Sequence, residues 1–143
     1  MKHTTSVIIL FFITIFSCSV ESEKINYGSD SCHFCQMTIV DQQHASEIVT
    51  NKGKVFKYDA IECMINDLKK KEGKDIALFF VNDYTSPGAL IDAKAATYLI
   101  SPQIKSPMGA FLSGFSSKED AQETQKESGG ELYNWNEVQS KIN

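Results

Sequence analysis

The chain has 143 residues, with 18 acidic against 14 basic and a formal net charge of −4. None of the basic residues is arginine, which sets nucleic-acid binding and bidentate phosphate recognition aside. A hydrophobic share of 42% is enough to bury a core without a metal to fold it.

Lys2 and His3 precede an apolar run from Val7 to Phe16, broken only by Thr14. The run is shorter than the roughly 20 residues of a membrane span, and its position fits an export signal. Ile15-Phe16-Ser17-Cys18 resembles a bacterial lipobox, in which the cysteine receives a diacylglycerol and becomes the mature N-terminus. The alternative is an ordinary secretory signal with a spare cysteine. Residues 1–17 are read as signal peptide, Cys18 as the lipidation site, 18–27 as a polar tether and 28–143 as the folded domain. Acyl chains would anchor it to a bilayer, at about 0.8 kcal/mol for each buried methylene.

Asp30-Ser31-Cys32-His33-Phe34-Cys35-Gln36-Met37 gathers two thiols, an imidazole and a thioether. Such soft donors suit Cu(I). With Cys18 given to lipid, Cys32, Cys35 and Cys63 remain, an odd set for an oxidising compartment. Cys32 and Cys35 either close as a disulfide or hold metal. A structural zinc site of these two with His33 and His44 is a further alternative, although His33 lies awkwardly between the cysteines.

Met37 to Val40 is strand-like, and Asp41-Gln42-Gln43 reads as the turn before a strand over 45–49. Asn51-Lys52-Gly53 is a hairpin signal, followed by the alternating strand Lys54 to Tyr58. Asp59 with Glu62 has capping-box spacing, and Ile61, Met64, Ile65 and Leu68 form one helical stripe. Lys69 to Lys71 suit the end of that helix and Gly73 its stop. Residues 76–81 read as a buried strand, and 84–88 as loop.

The second half repeats the order. Residues 96–100 read as a strand, 101–107 as a proline-bearing loop and 108–115 as a strand. Ser117 caps a polar helix that Gly129-Gly130 stops. Residues 131–133 form a short strand, and Asn134 with Glu137 opens a last helix with Trp135, Val138 and Ile142 on one face. The expectation is an α+β fold of two strand-strand-helix-strand (ββαβ) halves, about 28–93 and 94–143, with mostly antiparallel sheet and a C-terminal helix.

Four features now carry a resemblance. They are the lipobox-like Cys18 with its short tether, the Cys32-His33-Phe34-Cys35-Gln36-Met37-Thr38-Ile39 segment, Phe56-Lys57-Tyr58-Asp59 leading into a helix with Cys63 and Met64, and Ser106-Pro107-Met108-Gly109. In this order the chain resembles the NosL family of lipoprotein copper chaperones associated with nitrous oxide reductase. Gln36 stands where that family usually has glycine. The resemblance implies two ββαβ halves, Cu(I) as cargo and delivery to the copper centre of the reductase. It also strengthens Met108 as a long-range ligand.

Cys32, Cys35, Met108 and Met37 are therefore the candidate metal ligands. Met108 and Met37 could equally fill core space. His33 and Asp30 lie at the rim of the motif, and His44 has no assigned role. Cys63 falls opposite the packed stripe of its helix; it could face the metal, the second half or solvent, burial against the second half is the first expectation, and it is not assigned as a ligand. The expected partners are a copper-accepting enzyme, its membrane assembly machinery and a lipid bilayer, at the periplasmic side of the cell envelope. The chain is read as no enzyme, since it lacks H-E-x-x-H, G-x-S-x-G and phosphate-binding glycine loops. The competing function is a thiol–disulfide oxidoreductase using Cys32 and Cys35. Against it, the pair leads into a strand and not a helix, so the usual device for acidifying the first thiol is missing.

Overall fold

A computed structural model describes residues 20–70 and 75–142. The signal-peptide and Cys18 readings, and the helix stop at Gly73, lie outside the described residues. Among the described residues, seven strands and three helices follow one another as β1 (Ser46–Thr50), β2 (Val55–Tyr58), α1 (Ile61–Lys70), β3 (Ile76–Asp83), β4 (Ser86–Asp92), β5 (Thr97–Ile100), β6 (Leu112–Phe115), α2 (Lys118–Ser128), β7 (Glu131–Tyr133) and α3 (Trp135–Lys141). The first sheet runs β2-β1-β3-β4 and the second β6-β5-β7. Every pairing is antiparallel, so the α+β expectation of two sheets with helices stands.

The hairpin at Asn51-Lys52-Gly53 forms as its sequence requires, with Gly53 at φ 75°. Ser117 Oγ accepts from Asp120 N at 3.2 Å and caps α2. Asn134 and Glu137 cap α3 reciprocally, at 2.8 and 3.0 Å. Trp135, Val138 and Ile142 are all buried.

Four local expectations are corrected. Residues 37–40 form no strand beyond a single bridge, Ser31 to Thr38. The loop read over 84–88 instead enters β4, because Pro87 and Gly88 lie on an edge strand, where a missing donor costs no ladder bond. The strand expected over 108–115 is confined to Leu112–Phe115, since Gly109 at φ 79° and Phe111 at φ 59° turn the chain first. Asp59 and Glu62 send their carboxylates to Cys35 and Ser106 in place of a reciprocal cap.

The expected tether is also only partly free. Ile25 is buried, Glu23 N donates to Glu47 Oε1 at 3.0 Å, and Lys57 Nζ donates to Lys24 O at 2.8 Å. From Glu23 onward the segment is therefore laid on the first sheet.

One hydrophobic core takes side chains from both halves, including Ile48, Tyr58, Ile61, Met64 and Val81 from the first and Tyr98, Leu112, Trp135 and Val138 from the second. This explains why α1 is buried beyond its apolar stripe: the first sheet lies on one side and the second half on the other. The halves meet at Gly114, where an added Cβ would sit 3.0 Å from Val81. The same seam joins His44 Nε2 to Ser113 Oγ at 3.1 Å and Tyr84 N to Gly114 O at 2.8 Å.

Candidate metal centre

The Cys32–Met37 loop is tied at both ends. Cys32 N donates to Met37 O at 2.8 Å, and Gln36 N to Cys32 O at 3.0 Å. His33 N donates to Lys57 O at 2.8 Å, which pins the loop to the edge strand β2. Gln36 is at φ 66°, the left-handed region that glycine enters freely. Its side chain partly compensates by donating to His33 O at 2.9 Å.

This loop lays its thiols over the junction between β2 and α1. The ligand atoms of Cys32, Cys35, Asp59 and Cys63 all lie within 4.8 Å of one another. Cys32, Cys63 and Asp59 are buried, and Cys35 is partly exposed. Cys35 Sγ donates to Asp59 Oδ1 at 3.3 Å. All three cysteines are free thiols.

The three thiols act on one another's protonation. A hydrogen bond from Cys63 brings the Cys32 thiol down to about 6. That same bond raises Cys63, and burial pushes Cys35 up to about 11. Without a cation, one thiolate next to a carboxylate disfavours a second. A soft cation would relieve that repulsion and release the remaining thiol protons. The donor set fits Cu(I), with the carboxylate as a harder neighbour.

The candidates divide cleanly. Cys32 and Cys35 meet in the cluster, and Cys63, which the sequence reading left out, joins them. Its signal was available: a third thiol placed four residues after Asp59, in the first turn of the helix that Asp59 precedes. Met108 is 44% exposed and shares the lining of a cavity of about 390 Å³ with Cys63, Phe34 and Glu62. Met37 is 53% exposed and is not in that lining.

Neither His33 nor His44 belongs to the thiol cluster. The ring of His33 packs 4.4 Å from that of Phe56. His44 is buried in the seam, with Nδ1 3.0 Å from Asp41 Oδ2. Asp30 pairs with Lys57 Nζ at 2.8 Å, which holds its carboxyl below the usual range. It secures the loop's foundation on β2 and lies outside the cluster.

A family model described as NosL matches residues 25–142. The chain belongs to the NosL family. It is 29% identical over 120 residues to the copper-binding lipoprotein NosL of Stutzerimonas stutzeri, a match covering 78% of this chain and 63% of that relative. The chain thus spans less than two thirds of the length of the curated relative it matches. The crystal structure of the copper chaperone NosL from Shewanella denitrificans superposes with a TM-score of 0.72 at 24% identity, over 83% of this chain and 96% of that one. That likeness establishes the NosL fold. No helix among the described residues is long and apolar enough to cross a membrane.

Proposed function

We propose that this chain is a lipid-anchored, periplasm-facing chaperone that carries Cu(I) to a copper enzyme, nitrous oxide reductase, during its maturation in denitrification. The observation that carries the reading is the convergence of Cys32, Cys35 and Cys63 with Asp59 within 4.8 Å. The named relatives, a copper-binding lipoprotein and a copper chaperone, support both the cargo and an anchor at Cys18. Membrane-bound assembly machinery is the natural companion of a donor held at the same surface.

Cu(I) is cargo, so the chemistry is ligand exchange and not catalysis. Buried thiolates give affinity, and low coordination number leaves room for an incoming ligand. Cys35, the least buried thiol, is the entry point. The Met108 thioether at the cavity rim is neutral and weak, suited to hold the ion while a partner's soft ligand replaces it. Met37, which is exposed, serves at an early encounter with the ion.

The oxidoreductase reading draws on the low value of Cys32, about 6. Yet Cys32 has 0% exposure, and its acidity comes from a neighbouring thiol that itself suits metal.

Reduced protein in competition with a Cu(I) chelator is expected to retain about one Cu(I) per monomer, as a single low-coordinate cluster requires. Copper-loaded protein mixed with copper-free nitrous oxide reductase is expected to pass its copper on and restore activity. Complete loss of copper to the chelator defeats the binding claim, and copper retained by the protein defeats the delivery claim.

A further inference from the structure

Glu62 is a buried carboxylate outside the ligand set. It is 3% exposed and directly precedes Cys63 in the first turn of α1. Its side chain turns toward the second half. Oε1 accepts from Ser106 Oγ at 2.5 Å and from Ala110 N at 3.2 Å. Ser106 Oγ in turn accepts from Phe111 N at 2.9 Å. These contacts bracket Met108 on both sides. Oε2 is buried without a protein partner, and Glu62 lines the cavity together with Cys63 and Met108.

The loop needs such a hold. Gly109 is at φ 79° and Phe111 at φ 59°, and the latter is a conformation that non-glycine residues avoid unless their surroundings impose it. A buried carboxylate accepting charge-assisted bonds is a strong clamp for it. Because Glu62 and Cys63 are neighbours on one helix, the clamp fixes the methionine loop relative to a thiol of the cluster.

We propose that Glu62 is a positioning residue for the copper site, holding the Met108 loop against α1 so that the thioether stays over the thiol pocket. This rests on the reading of Met108 as a Cu(I) ligand. Glu62 does not touch the ion. It acts through the methionine, and Ser106 relays its hold.

The test is a double-mutant cycle on the reduced full chain, measuring Cu(I) affinity by chelator competition. Met108→Leu and Glu62→Ala are each expected to weaken binding about tenfold, with the double variant no weaker than Met108→Leu alone. Glu62→Gln keeps an acceptor oxygen and is expected to restore most of the loss. Ser106→Ala, which leaves Glu62 in place, is expected to reproduce a smaller part of it and covers the case in which Glu62→Ala fails to fold. A second readout needs no copper: in ¹³C-methyl spectra, Glu62→Ala or Ser106→Ala is expected to move the Met108 methyl signal and leave that of Met37 in place. Additive losses in the cycle, or an unmoved Met108 methyl, overturn the proposal alone. A Met108→Leu variant with normal affinity overturns the methionine-ligand reading and the proposal together.

Discussion

The two sulfur-bearing loops are built on opposite terms. The Cys32–Cys35 loop is pinned to β2 through His33 and Lys57, and its thiols face a buried carboxylate and the first turn of α1. The Met108 loop leaves its thioether 44% exposed and is gathered onto α1 through Glu62 and Ser106. Each carries a non-glycine residue at positive φ, Gln36 at 66° directly after Cys35 and Phe111 at 59° three residues after Met108. On the proposed reading, affinity falls to the floor of the site and access to its rim. A chaperone has to hold an ion tightly enough to keep it and loosely enough to release it, and the proposal assigns the two requirements to different loops.

The contrast predicts unequal losses. Cys63→Ser, on the floor, is expected to cut Cu(I) affinity about a hundredfold in chelator competition, because thiolate sulfur dominates soft-ion binding. An unchanged affinity would place Cys63 outside the site. The floor's foundation has its own pH signature. Glu47, opposite Lys57 in the β1–β2 ladder, is pushed by burial from 4.5 to about 7. The folded chain therefore keeps a proton that the unfolded chain gives up near pH 4.5. Stability from this group is full below that pH and is lost as pH rises through about 7. Glu47→Gln is expected to remove about 2 kcal/mol of that fall between pH 5 and pH 8, read from denaturant melts at the two values. Equal falls in both proteins would exclude the group.

At the rim, Met108→Leu is expected to cost about tenfold in affinity and leave stability unchanged, since a half-exposed methionine contributes little packing. A loss of stability with no change in affinity would make it a packing residue instead. Smallest of all, Gln36→Gly is expected to stabilise the chain by up to about 1 kcal/mol by relieving left-handed strain, while Cu(I) affinity stays within about twofold. A destabilised variant would mean that the Gln36 bond to His33 outweighs the strain.

Much of the fold was legible because local chemistry carried it. Ser117, the Asn134–Glu137 pair and Asn51-Lys52-Gly53 each satisfy backbone groups within a few residues, so their elements could be read directly. Strand β4 was not legible, since Pro87 and Gly88 argue against a strand unless its edge position is known. The same holds for the site. Cys32 and Cys35 announce themselves by spacing, whereas Cys63 reaches them only because a loop distant in sequence folds over the start of α1. A helical wheel records the face a helix presents to one sheet, and α1 is packed on two sides. Asp59 and Glu62 illustrate the converse: their spacing spelled a cap, and tertiary contacts claimed both carboxylates.

The most direct measurement is X-ray absorption on the reduced Cu(I)-loaded protein and its Cys63→Ser variant. A sulfur-dominated shell in the native chain that loses one sulfur in the variant is the result expected of a three-cysteine floor. A shell dominated by nitrogen and oxygen, or a sulfur count that Cys63→Ser leaves untouched, would contradict it.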